Sequence, residues 1–515
     1  MAPTLTPKWR GVGLVAAIIA LAAVARLPYL MQANLSPDAT DYINIARNIA
    51  RGRGLVHTIK WHFFTSDPAV HSAIGERPLL YPLLLAPFCR GDYPARACQY
   101  VTLLMTVAAL AVGAAWARRM GQSGRAVAIT TILLAFNPGL LVCSIYPWTE
   151  PLYLLSLFGV MLVVGDDAES RWAARLAALL TALAYMTRPS AAAIVLGLAS
   201  WYLYRGAFRP LANYLLTLVV LLIPWWAIVW VVRGNPLYCV QSFHLVVNDI
   251  RDGMASGYGV VFPGPVEFFF TRTGTILTKV GAQTIAYMEQ LFGPTYLSVF
   301  SVLAFLRLLR RRERNQNEGA RSDGPCYAIA LWHFVLTAMT WATFESLRFM
   351  APCFALLVVP VVAEMDYLVG RLAPNRARVA AWSTILAVTG VVYGEAWGQI
   401  YQRVANDRTR DLVLQVARIE FDRIVELGAA VACSDPFSIN YYFDRPAIML
   451  PEASDSPQRV QMVEQFVNEY RPNYMLLTPN EVKVLSPLVA GGRLRSAGTL
   501  EAIPFQIFRV TQTVP

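Results

Sequence analysis

The stretch Ser36-Pro37-Asp38-Ala39-Thr40-Asp41-Tyr42 follows the first long apolar run of the chain, Gly11 to Leu30. A run of that length crosses a bilayer, so Asp38 and Asp41 stand where the chain leaves the membrane. A carboxylate there can take a proton from a hydroxyl or hold a divalent metal. Ser-Pro-Asp is also a common helix start with an acidic first turn, so capping alone accounts for either residue. Downstream, Tyr42, Ile45, Ala46 and Ile49 share one helical face, while Asn44, Arg47, Asn48 and Arg51 lie elsewhere. This pattern predicts an amphipathic helix on the outer membrane surface, ended by Gly52-Arg53-Gly54.

The remaining composition sets the class. Of 515 residues, 56% are hydrophobic and 15% charged, with the apolar residues in long runs, which predicts a polytopic α-helical membrane protein. The net charge of +11 sits at the ends of those runs, so it is a topology signal and no nucleic-acid partner is expected. Lys8 and Arg10 put the N-terminus in the cytoplasm, with the first run retained as a span and not cleaved as a signal peptide. Dense Arg clusters (Arg118, Arg119 and Arg125; Arg310, Arg311, Arg312 and Arg314; Arg371, Arg376 and Arg378) then fall on one side. Residues 1–398 read as a transmembrane domain of about eleven spans. Its first outer loop, 32–96, holds a second interfacial helix in Arg77–Leu85. A long outer loop, 233–282, carries His244 and Lys279 as solvated side chains.

From 399 to 515 the composition alternates between strand-like runs (Ala429 to Cys433, Tyr474 to Leu477, Phe505 to Val510) and helical ones. That predicts a small extracytoplasmic α/β domain acting as support or lid. It contains no glycine-rich phosphate loop. The seven Cys include no CxxC pair, so no structural zinc site of that kind is expected. Cys89 and Cys98 are either a disulfide or two free thiols.

Nine polar residues recur at the expected outer mouth: Asp38, Asp41, Arg77, Tyr81, Tyr146, Glu150, Arg188, Glu345 and Arg348. Snorkelling accounts for an Arg at a helix end but poorly for a short carboxylate. Arg188 and Arg348 lie opposite the inside clusters, where a guanidinium fork is suited to phosphate. Glu345 and Arg348, three apart, can also simply pair with each other.

Taken together, Pro37-Asp-Ala-Thr-Asp-Tyr-Ile-Asn-Ile-Ala-Arg-Asn-Ile-Ala-Arg-Gly52, Arg77-Pro-Leu-Leu-Tyr-Pro-Leu-Leu-Leu85, Thr149-Glu-Pro-Leu152, Thr187-Arg-Pro189 and Arg348-Phe-Met-Ala-Pro352 resemble the GT-C superfamily of membrane glycosyltransferases. The likeness is to bacterial relatives of protein O-mannosyltransferase and of lipid A aminoarabinose transferase. It implies a polyprenyl-phosphate-linked sugar donor and inverting hexosyl or pentosyl transfer to a hydroxyl. The acceptor would be a lipid, glycan or protein at the outer face of the bacterial inner membrane. By position Asp38 matches the catalytic acidic residue, and Arg348 the Arg that contacts the lipid phosphate. Asp41 matches a second acidic residue, although here Ala39-Thr40 separates the two. Arg77 and Arg188 are further donor-phosphate candidates, and Tyr81, Tyr146, Glu150 and Glu345 complete the expected site. A divalent metal, Mg or Mn, on Asp38 stays open. The rival from another class is a transporter or flippase of lipid-linked saccharides, which predicts charges at mid-span and a repeat between halves. The ionisable residues here favour span ends, and the Asp38 region does not recur.

Overall fold

A computed structural model describes residues 7–31, 33, 35–63, 66–164, 170–240, 258, 267, 270–293, 303, 307, 323–340, 347–372, 375–451 and 456–511. The apolar runs are helices, as lipid requires, because only a helix or closed barrel pairs its own backbone groups. They are α1 (Pro7–Leu30), α2 (Pro37–Ala50), α3 (Leu80–Leu85), α4 (Ala95–Arg119), α5 (Gly124–Phe136), α6 (Pro138–Ile145), α7 (Glu150–Val164), α8 (Arg171–Tyr185), α9 (Ala192–Tyr204), α10 (Phe208–Arg233), α11 (Thr273–Phe292), α12 (Gly324–Thr340), α13 (Leu347–Leu372) and α14 (Asn375–Ile424). Among the described residues, five helices are long and apolar enough to cross a membrane, or six if the bent pair α5 and α6 is one span.

That count differs from the expected eleven for identifiable reasons. The run near Ala126–Ser144 breaks by 57°, where Asn137 caps α6 by accepting from the Leu140 N–H at 3.1 Å and Pro138 follows. The apolar helices at Glu150–Val164, Pro189–Tyr204 and Gly324–Met339 are shorter than a full span. The Arg310–Arg314 cluster, His244 and Glu345 lie outside the described residues. The last ten residues of the expected long loop belong to α11. There Lys279, Gln283 and Tyr287, four apart, form the buried face, so Lys279 is packed and not solvated.

The second half of the fold is a mixed sheet. Its strands are β1 (Val56–His57), β2 (Ile59–Lys60), β3 (His71–Ser72), β4 (Val431–Cys433), β5 (Ala447–Met449), β6 (Tyr474–Leu477), β7 (Leu494–Leu500) and β8 (Phe505–Val510). β1 and β3 form a short antiparallel ladder, and the others order as β2-β5-β4-β6-β8-β7. β2, β5, β4 and β6 run parallel, β8 and β7 antiparallel. Strands β6 and β8 fall where the sequence placed them, whereas β7 was not expected. Helices α15 (Pro436–Phe443), α16 (Ser456–Tyr470), α17 (Pro479–Val484) and α18 (Ser486–Ala490) pack on the sheet.

Two features tie the sheet to the membrane helices. Helix α14 runs unbroken for 50 residues, so position 398/399 falls inside a helix. Strand β2, from the segment between α2 and α3, pairs Ile59 with Ala447 and Lys60 with Ile448 of β5. Helix α2 is therefore not a surface helix. Residues 39–48 are all buried, and its polar face meets protein instead of water. The Asn44 amide donates to the Thr58 hydroxyl at 2.6 Å and to Asn440 Oδ1 at 2.7 Å, and Asn44 Oδ1 accepts from the Thr58 N–H at 3.0 Å. Arg47 donates to the Tyr441 carbonyl at 3.2 Å, and Arg51 pairs with Asp444 at 2.5 Å. Tyr42, Ile43, Ala46, Tyr81, Phe421 and Phe443 lie in one core beneath. Cys89 and Cys98 are free thiols, 3.5 Å apart.

Candidate active site

Asp38 sits in the first turn of α2, where Ser36 caps the helix by accepting from the Ala39 N–H at 3.2 Å. The cap fixes the helix start, and the first-turn position favours a negative charge. The capping expected of Asp38 or Asp41 is done by Ser36 instead, which leaves the Asp38 carboxylate for other partners. Its Oδ1 accepts from Arg77 Nη2 at 2.7 Å, and its Oδ2 accepts from Arg348 Nη2.

From Asp38 the charges alternate in both directions. On one side Arg77 also binds Asp41 Oδ2, through Nε at 3.1 Å and Nη2 at 2.7 Å. On the other, Arg348 Nε lies 3.8 Å from Glu150, which pairs in turn with Arg188. The series Asp41–Arg77–Asp38–Arg348–Glu150–Arg188 holds three carboxylates and three guanidiniums, so its formal charge is zero. The six residues come from five places: α2 (Asp38 and Asp41), the segment before α3, the start of α13, the start of α7 and the segment before Pro189. All but Asp41, in the second turn of α2, sit at or next to helix ends.

Exposure separates the carboxylates. Asp41 is 0% and Glu150 1% exposed, whereas the Asp38 side chain retains 21%. Asp41 is saturated: besides Arg77 it accepts from Trp61 Nε1 at 3.2 Å and from His57 Nε2 at 3.2 Å. It holds Arg77 and offers no free oxygen, which differs from the expectation of a second catalytic acid. Burial alone would raise the Asp38 carboxyl, but Arg348 and Arg77 outweigh it and hold it well below the usual carboxylate range. Burial opposes the charge on Arg77 and Arg188 too, yet their carboxylates raise both further.

Aromatic rings frame the guanidiniums. Arg348 lies over the Trp148 ring at 4.3 Å. Trp148 stacks on Tyr146 at 4.6 Å and donates to the Ser36 hydroxyl at 2.7 Å. Arg77 lies over Tyr42 at 5.5 Å and Trp61 at 5.8 Å. Arg348 Nε is a buried donor with no hydrogen-bond partner among the described residues. Such a donor is costly unless a ligand uses it.

The structure thus gathers Asp38, Asp41, Arg77, Glu150, Arg188 and Arg348, with Tyr146 behind Trp148. Tyr81 differs from expectation: it is fully buried, edge-on to Tyr42 at 5.4 Å, and its hydroxyl is committed to Thr102 at 2.7 Å. It supports Tyr42 from the core. Glu345 lies outside the described residues. The sequence reading missed Trp148, Trp61 and His57; the clustering of three of the chain's five histidines at 57, 62 and 71 was the available signal. A divalent metal does not fit at Asp38. Both oxygens already face guanidiniums, and Arg188 adds a third positive charge nearby, whereas Mg or Mn needs several oxygen ligands.

The described residues thus join a membrane-type helical half to a mixed sheet through the segment that follows α2. No protein family matched the sequence, and no curated protein matched it either. Solved structures do match. ArnT from Cupriavidus metallidurans, bound to undecaprenyl phosphate, superposes with a TM-score of 0.58 at 15% identity, covering 96% of this chain and 98% of that one. The archaeal oligosaccharyltransferase AglB from Archaeoglobus fulgidus, in complex with an inhibitory peptide and a dolichol-phosphate, gives 0.56 at 13% over 92% and 70%. The mycobacterial arabinofuranosyltransferase AftD (mutant R1389S) gives 0.54 at 14% over 99% and 42%. At these identities the likeness is one of fold.

Proposed function

We propose that this chain is a glycosyltransferase that moves a sugar from a polyprenyl-phosphate donor to a hydroxyl acceptor, with Asp38 as general base. The observation that carries the reading is the position of Asp38: the most exposed carboxylate of the cluster, held between two guanidiniums, one of which keeps an unused donor. The fold neighbours bound to undecaprenyl phosphate and dolichol-phosphate support it. The charge placement at helix ends argues against the transporter reading.

The chemistry follows from the charges. In the free chain Asp38 is a weak base because its anion is over-stabilised. An arriving donor phosphate competes for Arg348 and Arg188, since a guanidinium fork matches phosphate as well as carboxylate. Losing one guanidinium raises the proton affinity of Asp38, so donor binding activates the base. Asp38 then takes the acceptor hydroxyl proton while that oxygen bonds to the anomeric carbon. The bond from that carbon to the phosphate oxygen breaks with its electron pair on the phosphate, where the arginines neutralise it. Attack opposite the leaving group inverts the anomeric centre. Asp41 positions Arg77. The reaction site faces the extracytoplasmic side of the inner membrane in this reading, a side that the positive-inside distribution supports.

The test is direct. Purified protein in nanodiscs is incubated with a panel of undecaprenyl-phosphate hexoses and pentoses, and the release of undecaprenyl phosphate is followed by mass spectrometry. Release from at least one donor, absent with Asp38→Asn, supports the proposal. Transport of intact donor between leaflets without cleavage overturns it.

A further inference from the structure

Beyond the charge cluster, the first outer loop contains a second constellation that the proposed chemistry does not use. Strands β1 and β3 place His57 directly opposite His71. His57 Nε2 faces Asp41 Oδ1 at 3.2 Å, and a carboxylate can only accept, so Nε2 carries the proton. His71 Nδ1 faces the Pro68 carbonyl at 3.0 Å, which likewise only accepts, so Nδ1 carries the proton there. In the neutral rings both remaining nitrogens, His57 Nδ1 and His71 Nε2, then present lone pairs to each other at 3.4 Å. Two facing lone pairs repel unless a cation lies between them. Glu76 brings a carboxylate oxygen to 3.9 Å from His71 Nε2. All three side chains are buried, and their ligand atoms lie within 4.8 Å of one another.

From this geometry we infer that His57, His71 and Glu76 bind a divalent transition-metal ion of the zinc type. Two nitrogens at about 2.0–2.1 Å from a tetrahedral zinc stand about 3.4 Å apart, which is the separation present here. The Glu76 oxygen, 3.9 Å from His71 and within 4.8 Å of the His57 nitrogen, moves inward to become the third ligand. Two imidazoles and one carboxylate suit zinc and exclude an oxygen-only ion such as Mg or Ca. A fourth position remains for water. The outer hydrogen bonds are those a metal site uses to fix ring orientation, with Asp41 supporting His57 and the Pro68 carbonyl supporting His71. Arg233 donates to this same Glu76 oxygen at 3.3 Å while pairing with Asp67 at 2.6 Å, so the metal shares the Glu76 carboxylate with that guanidinium. The metal acts as a staple. β1 and β3 are two residues each, too short to hold as a ladder alone. The segment that follows β3 carries Arg77 immediately after Glu76, and His57 on β1 orients Asp41.

Full-length protein with a tag free of histidine is purified without chelators, and its metal content is measured by inductively coupled plasma mass spectrometry. The expected result is one zinc per chain, removed by chelator and restored by zinc sulfate. Cobalt substitution should give the intense visible bands of a tetrahedral site. His71→Gln and Glu76→Gln lose stoichiometric uptake, and Asp41→Asn weakens affinity by about 10–100-fold. Wild-type protein with no stoichiometric uptake overturns the inference and leaves a shared proton between the rings. Equal uptake by wild type and His71→Gln overturns it too. Should His71→Gln fail to fold, the wild-type cobalt spectrum and the Asp41→Asn titration decide: an octahedral spectrum, or unchanged affinity, overturns it.

Discussion

Replacing Asp38 by Asn separates two effects that a merely structural role would merge. Asn keeps the shape and one acceptor oxygen but removes the charge, so the six-membered series goes from neutral to +1. Arg77 keeps Asp41 and Arg348 keeps Glu150, both nearly inaccessible, so neither guanidinium is left alone. The stability cost is that of a weakened charge-assisted hydrogen bond, about 1.5–3 kcal/mol, reduced because Asp38 is one-fifth exposed. The protein should therefore still fold. Transfer should fall by about 10²–10⁴-fold, the usual contribution of a positioned base. Binding of undecaprenyl phosphate should move the other way. A carboxylate about 4 Å from a phosphate charge repels it by ~4 kcal/mol at an effective dielectric near 20. If a third of that survives the flanking arginines, removing it tightens binding about tenfold. The assay pairs single-turnover transfer with calorimetric titration of undecaprenyl phosphate into nanodiscs. Transfer by Asp38→Asn at the wild-type rate, or phosphate binding weakened tenfold, refutes the reasoning.

Two further predictions rest on the same cluster. Arg348→Lys keeps the charge but loses the fork and the guanidinium contact over the Trp148 ring, so affinity for undecaprenyl phosphate should fall about tenfold or more while folding is retained; affinity within twofold of wild type would remove Arg348 from the phosphate site. For pH, the Asp38 carboxyl is depressed in the folded chain. Its ion pairs therefore contribute fully above the unfolded value of about 3.9 and are lost only as pH falls below that, through the folded value. The ratio of undecaprenyl-phosphate affinities between Asp38→Asn and wild type should stay constant from pH 5 to 8, the titration of the phosphate itself cancelling in the ratio. A ratio that collapses toward one at pH 5 would show that Asp38 takes up a proton in that range.

How much of this was legible in the sequence depends on what covers each residue. Periodicity and the Ser-Pro-Asp start placed α2 correctly, because both act within a few residues, although the capping side chain is Ser36 and not an Asp. The same periodicity misassigned the helix's surroundings. Asn44, Arg47 and Asn48 form a polar face in sequence, and nothing local says that the face meets β2 and α15 instead of water. Strand β7, Leu-Arg-Ser-Ala-Gly-Thr-Leu, has apolar ends and an exposed middle, so it carries no alternation to read. Asp38 and Arg348 were found separately, by type and by their placement at span ends, but their contact joins residues 310 apart in sequence. Tyr81 was misread because a tyrosine beside a charged loop looks like a site residue until its hydroxyl proves to be spent on Thr102 in the core.

The contact between α2 and the sheet has its own consequence for activity. The side-chain amide nitrogen of Asn440 donates to the Thr58 hydroxyl at 3.0 Å, the Thr58 carbonyl at 3.3 Å and the Arg445 carbonyl at 2.9 Å. Its oxygen accepts from Asn44. All of these side chains are buried, and water has little room to replace a lost partner. Asn440→Ala therefore leaves several polar groups short at once, at about 1–3 kcal/mol for each group left wholly unpaired. A total of about 3–5 kcal/mol is expected, since the groups share partners and do not add. Asn44 lies less than two turns from Asp38 on the same helix. If the sheet holds α2 in register, Asn440→Ala lowers both thermal stability and transfer, although position 440 touches no donor. The control is Asn440→Asp, which keeps the acceptor for Asn44 but loses the donors to Thr58 and Arg445. It should lose stability too and still bind undecaprenyl phosphate near wild-type affinity, because the arginines of the cluster remain in place. An Asn440→Ala protein with unchanged melting temperature and unchanged transfer would show that the sheet is carried by the membrane helices without steadying the helix that bears Asp38.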